Sequence, residues 1–213
     1  MSCASDPRVV LTLDAGGTNF VFSAVQGDRE VVEAVTLPSN AHDLTLCLDT
    51  IVLGFAKVKE QAPAPPVAIS FAFPGPADYP TGIIGDLGNL PAFKGGGIAL
   101  GPMLEDRFGV PVFMNNDGDL FALGEAIAGL LPWANGLLAA GGSPKRFRNL
   151  FGATFGTGFG GGIVQDGRLW QGDNSAGGEI WLLRNKLDPR SNIEEAVSIR
   201  AIRRVYAEKA GIA

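Results

Sequence analysis

Histidine and cysteine are nearly missing from this sequence. Its 213 residues hold one histidine, His42, and two cysteines, Cys3 and Cys47. They show no metal-ligand spacing and cannot make a disulfide framework. Reduced thiols and a cytoplasmic home are the simplest reading. His42 reads as a solvated residue near the start of a helix. Long apolar runs are missing too. No window approaches the roughly 18 uninterrupted apolar residues of a membrane helix, so no membrane span is expected. Met1 to Arg8 lacks the apolar stretch of a signal peptide. Positive charge is scarce: 17 Lys and Arg stand against 22 Asp and Glu, a net charge of −5. Only Lys145-Arg146-Phe147-Arg148 and the Arg200–Arg204 stretch are locally basic. Charge therefore gives no support to a nucleic-acid partner. An anionic small ligand is still open, because backbone amides and Mg2+ can hold phosphates.

What is present is core material and glycine. Hydrophobic residues make up 46% of the chain and charged residues 18%, a globular balance. The 30 glycines cluster instead of repeating, which points to specialised turns. Val9 to Asp14 reads as a strand, Ala15 to Asn19 as a turn, and Phe20 to Val25 as a second strand. After Gly27-Asp28, Glu30 to Leu37 reads as a third, completing an antiparallel meander. Ser39 or Asn40 can cap a helix over 41–61, with Leu44, Leu48, Ile51, Val52, Phe55 and Val58 on its apolar face. A strand at Val67 to Phe73, a Gly-rich loop over 77–97, a helix over 98–108 and a strand at Val110 to Met114 follow. An alanine-rich helix over 120–131 comes next, then an irregular connection over 132–149. Leu150 to Phe155 starts a second strand, Gly-rich turn, strand unit, a coarse echo of the first. The spacing predicts a last helix over 192–209.

Three constellations carry chemistry. Asp14-Ala15-Gly16-Gly17-Thr18-Asn19 is a turn whose glycines leave N–H groups unhindered for an anionic oxygen. Thr18 adds a hydroxyl donor, and Asp14 can orient Mg2+ through water. Gly156-Thr157-Gly158-Phe159-Gly160-Gly161-Gly162 has more glycine than a hairpin needs, so another backbone or a polyphosphate comes close there. Neither turn is a P-loop or a dinucleotide fingerprint, since each is followed by a strand. Asn115-Asn116-Asp117 ends a strand just before a helix. There Asp117 can take a proton from a substrate hydroxyl, with an amide beside it to hold that hydroxyl. Asp117 or Asp119 can equally be a helix cap. Asn89, in Gly88-Asn89-Leu90-Pro91, together with Asn174 and Glu179, offers further hydroxyl partners, although such residues are common in plain loops.

The order of these motifs, with Ala122-Leu123-Gly124-Glu125 and Gly178-Glu179-Ile180, resembles the ROK family of repressors and sugar kinases, in the actin-like ATPase superfamily. The resemblance implies an α/β, ribonuclease H-like fold: a mixed five-stranded sheet with flanking helices in an N-terminal lobe over 1–131, and an incomplete second lobe over 132–213. It implies ATP-dependent phosphorylation of a hexose or amino-hexose, glucokinase- or fructokinase-like, with ATP and Mg2+. Asp117 would be the general base. Asn89, Asn116, Asn174 and Glu179 would bind sugar. Asp14, Gly16, Gly17, Thr18, Asn19, Gly156, Thr157, Gly158 and Gly160 would bind phosphate. Trp181-Leu182-Leu183 follow Ile180 where the family has Gly-His and a cysteine cluster, so no structural zinc is expected. The family also continues past the helix resembled here, which implies a truncated chain or a partner chain that supplies the rest. A homodimer is a family expectation. The alternative is a non-catalytic or regulatory sugar-binding ROK protein without a DNA-binding domain, as only 13 residues precede Asp14.

Overall fold

The computed structural model describes residues 5–87 and 90–212. The chain divides into two compact units, 1–116 and 117–213. The sequence reading put the boundary after Leu131. The difference lies in one helix, which packs on the strands of the second unit.

In the first unit, β1 (Val9–Ala15) and β2 (Asn19–Gln26) form the expected hairpin, with Asp14 opposite Val21 and Ala15 opposite Phe20. The third strand of the meander is broken into β3 (Arg29–Glu30) and β4 (Val35–Pro38), both paired to β2. That break gives the sheet six strands where five were expected. Helix α1 (Leu44–Gln61) starts later than predicted. Its cap is Asp43, which accepts the Leu46 N–H at 3.0 Å, whereas Asn40 is left-handed, with φ of 49°, and donates to Thr50 Oγ1.

The chain returns as β5 (Ala68–Ala72), parallel to β1. Three short strands, β6 (Ala77–Asp78), β7 (Ile83–Ile84) and β8 (Ile98–Ala99), make a small sheet from the Gly-rich loop. Helix α2 (Leu100–Phe108) stops at Gly109, which takes the left-handed C-terminal conformation with φ of 67°. It leads into β9 (Val112–Asn115), parallel to β5. The sheet order is β3-β2-β1-β5-β9. Its core is aromatic: Phe20, Phe22, Phe55, Phe71, Phe73 and Phe93 meet in a chain of mostly edge-on contacts 5.2–6.3 Å apart. Gly54 of α1 lies against the Phe22 ring, where a Cβ would collide with ring carbons.

The second unit opens with α3 (Asp117–Ile127), three residues earlier than predicted. The connection expected to be irregular holds α4 (Leu130–Ala140). Pro132 falls in the first turn of α4, where its missing N–H is not needed. Glu125 of α3 accepts the Leu130 N–H at 2.7 Å and caps that start. Within residues 117–140 an 18-residue window has a mean hydropathy of 1.3, enough by length and composition to cross a membrane. The chain breaks there at Ala128–Gly129, and Gly118, Asp119 and Ala122 are buried. Strands β10 (Leu150–Phe155), β11 (Phe159–Gln165) and β12 (Arg168–Leu169) form an antiparallel sheet. The predicted last helix is split into α5 (Glu194–Val197) and α6 (Ile199–Ala210), because Ser198 is extended and its hydroxyl caps α6 through the Ala201 N–H.

Candidate functional site

The first turn joins β1 to β2 and is held from one side. Ser39 donates its hydroxyl to the Gly17 carbonyl at 2.7 Å and its N–H to the Thr18 carbonyl at 2.9 Å. A trans peptide points its N–H opposite to its C=O, so the N–H groups of Thr18 and Asn19 face away from Ser39. Gly16 needs its missing side chain: a Cβ would stand 2.8 Å from the Asn19 carbonyl oxygen. Gly17 faces open space, and Asp14, Gly17, Thr18 and Asn19 are exposed.

Strand register ties this turn to the second motif. Asp14 pairs with Ala72 across β1 and β5, and Ala72 pairs with Asn115 across β5 and β9. All three strands are parallel, so Asp14 and Asn115 lie at the same carboxyl edge, two strand spacings or about 10 Å apart. The Asn115 carbonyl accepts the Phe73 N–H at 3.0 Å, and its side chain accepts the Asn116 N–H at 2.9 Å. Asp117 is the next residue, exposed at the start of α3, with Oδ1 accepting the Gly118 N–H at 2.8 Å. It therefore serves as a helix-terminal carboxylate and also keeps an oxygen open to solvent.

The second turn, between β10 and β11, closes with the Gly156 N–H donating to the Gly158 carbonyl at 3.0 Å. Glu194, which the sequence reading passed over, accepts the Phe159 N–H at 2.8 Å. A Cβ on Gly158 would stand 2.7 Å from that same carboxylate oxygen. Arg200 bridges Glu194 and Glu195. The glycine excess has a local cause. Cβ atoms on Gly152 and Gly162 would meet Ala122 at 2.9 and 2.8 Å, and one on Gly160 would stand 2.7 Å from Thr154 Oγ1. Gly152 and Gly162 let α3 press onto the hairpin, and Gly160 makes room for Thr154. Gly156 and Thr157 remain at the turn, with nothing within 4 Å of a Cβ on Gly156.

Of the expected sugar partners, Asn174 is exposed and accepts the Ala176 N–H at 3.3 Å within its own turn. Glu179 is half-buried and accepts the Trp181 indole N–H. Asn116 is also half-buried. Asn89 lies outside the described residues. Sequence reasoning did not foresee the burial of Asp119, whose carboxyl is pushed up to about 6, first by burial, then by the charges of Glu179 and Asp117. A cysteine nucleophile finds no support: Cys47 is buried in the α1 core, which pushes its thiol up to about 11. Among the described residues no three His, Cys, Asp or Glu side chains gather as a metal site.

The sequence pattern of the ROK family matches residues 10–185. The chain belongs to the ROK family. A glucokinase structure from Parabacteroides distasonis aligns over the whole chain at 60% identity with a TM-score of 0.90, and the match covers 60% of that protein. The N-acetyl-D-glucosamine kinase of Vibrio vulnificus is 33% identical over 175 residues, 82% of this chain and 52% of that enzyme. The chain thus spans about half the length of the curated ROK relatives it matches. A ROK glucokinase from Streptomyces griseus, in complex with glucose and AMPPNP, shares the fold at 21% identity and a TM-score of 0.72 over 95% of this chain. The fold is the α/β, actin-like ATPase fold of these ROK structures.

Proposed function

We propose that this ROK protein transfers the γ-phosphoryl group of ATP to a hydroxyl of a hexose or amino-hexose. The observation that carries the reading is the register Asp14–Ala72–Asn115. It supports a phosphate-facing turn and a hydroxyl-facing Asn-Asp pair working along one sheet edge. In the reaction Asp117 takes the proton of the sugar hydroxyl while that oxygen forms a bond to the γ-phosphorus. The bond from phosphorus to the bridging oxygen breaks, and ADP leaves with that electron pair. Asn116, Asn174, Glu179 and Asn89 hold other hydroxyls of the sugar. The N–H groups of the 16–19 turn and of 156–158, with the Thr18 and Thr157 hydroxyls, hold phosphate oxygens.

An exposed carboxylate such as Asp14 is the hard oxygen donor that Mg2+ takes, with water completing its shell. Bound there, Mg2+ would neutralise phosphate charge. Glucose and N-acetyl-D-glucosamine, the sugars named for the relatives, head the substrate panel. Trp181 holds Glu179 by its indole, so sugar preference need not follow any one relative.

A coupled ADP-release assay over hexoses and N-acetylhexosamines tests this reading. Sugar-dependent turnover is the expected result. Asp117→Asn and Asp117→Ala should lower kcat by about 10²- to 10⁴-fold, with sugar affinity largely kept. Normal turnover in either variant removes Asp117 as the base. ATP turnover indifferent to every sugar removes the kinase reading.

A further inference from the structure

Beneath the turn that carries Glu179 lies a carboxyl group that the proposed reaction does not use. Asp119, in the first turn of α3, is 2% exposed. Gln171 hydrogen-bonds this carboxyl group. Its Oδ1 has no hydrogen-bond partner among the described residues. The loop from Gln171 to Glu179 closes on itself: the Gly177 N–H donates to the Gln171 carbonyl at 2.8 Å, and the Glu179 N–H to the Ala176 carbonyl at 3.2 Å. Gly178 is wedged in place. A Cβ there would run into the Gly161 carbonyl oxygen of β11 and stand 3.0 Å from Asp119 Oδ1. One buried side chain thus bonds the start of the loop through Gln171 and lies under its close at Gly178, where only a glycine leaves it room.

We propose that Asp119 is a positioning residue that clamps the 171–179 loop at both ends and so fixes the setting of Asn174 and Glu179. The importance of that setting for sugar rests on the functional reading above; the clamp itself requires neither sugar nor ATP. The charged groups facing Asp119 are Glu179 from the loop and Asp117 from its own helix, while β11 offers glycine backbone. A buried oxygen without a partner is tolerated far better neutral than charged. The Gln171 hydrogen bond favours the charged carboxyl, but burial and the charges of Glu179 and Asp117 outweigh it, so the closed loop favours the protonated form and loosens as the proton leaves.

Amide hydrogen exchange across 170–181, followed from pH 5 to 8 on the full chain without ligands, tests the clamp. In the parent protein, protection of the Gly177 and Glu179 amides should fall as pH rises through about 6, beyond the intrinsic pH effect. Asp119→Asn, neutral at every pH, should keep that protection throughout. Asp119→Ala should lose roughly tenfold or more at all pH values, with β10 and β11 unchanged. Trp181 emission should follow the same pH course in the parent and be flat in Asp119→Asn. Should Asp119→Ala not fold, the Asn variant and the parent decide. The proposal is overturned if Asp119→Asn follows the parent across pH, if Asp119→Ala leaves the loop protected, or if its losses spread equally into β10 and β11. In a second arm, sugar KM should rise several-fold in Asp119→Ala with kcat less affected. A parent protein with no sugar turnover refutes the kinase reading while exchange still decides the clamp.

Discussion

At the residue scale, Asp119 also sets a stability slope. Its folded-state value of about 6 lies above the ordinary 3.8, so the folded protein keeps a proton that the unfolded chain has released between those limits. Stability from this group is complete below about pH 4, falls as pH rises through about 6, and is level above. An asparagine there has no such slope. The stability of Asp119→Asn relative to the parent should therefore rise by about 1–3 kcal/mol between pH 4 and pH 7.5, measured by urea unfolding. A constant difference across that range would mean Asp119 is not protonated in the fold. The position was legible in the sequence only as one candidate helix cap beside Asp117. Its burial depends on Gln171 and Gly178, more than fifty residues away, and local pattern cannot report that. Asp14 and Asp117 were legible because each ends an apolar run, which is visible without knowing what packs above.

At the element scale, the glycines of β10 and β11 show where pattern reading stops. A missing side chain signals close approach and says nothing of what approaches. The sequence allowed either a backbone or a phosphate, and at Gly162 the structure shows a backbone. Gly162 faces the Asp119 Cα and Gly118 carbonyl oxygen, both at 2.8 Å from a Cβ placed on it, and neither is a flexible side-chain end. Gly162→Ala should therefore push α3 off the sheet and destabilise by about 1–3 kcal/mol, whereas Gly156→Ala, facing open space, should stay within about 0.5 kcal/mol. Equal midpoints in denaturant would refute the assignment of Gly162 to helix docking. Helix α4 was missed because the stretch from Pro132 read as an irregular connection. Pro132 is harmless in a first turn, and the helix start is secured by Glu125, a residue of the preceding helix. The strand over 30–37 was read as continuous through its polar interruptions; the break lies at 31–34, where Val31 reaches back to the Ala24 carbonyl at 2.8 Å.

At the scale of the whole molecule, the two units differ in how much they bury. The first has the Phe chain, Cys47, Ile51 and Val58 of α1, and Leu11, Ile69, Ile84 and Leu100, all buried. In the second, only Ala122, Val164 and Ala201 are buried apolar residues among those described, while Trp133, Leu137, Phe151, Phe155, Ile202 and Tyr206 are exposed. Apolar burial is the main force opposing chain entropy. Residues 1–116 expressed alone should unfold cooperatively, and residues 117–213 alone should bind an apolar dye and melt without a sharp transition. A sharp transition in the 117–213 fragment would show that its hairpin and helices suffice.

One serine has a reach beyond its own contacts. By occupying the oxygens of two successive peptides in the bend after β1, Ser39 stops either plane from flipping. From those two peptides an approaching solute therefore meets N–H and not carbonyl oxygen. The sign of charge that the bend can welcome is decided in advance, by a hydroxyl more than twenty positions down the chain.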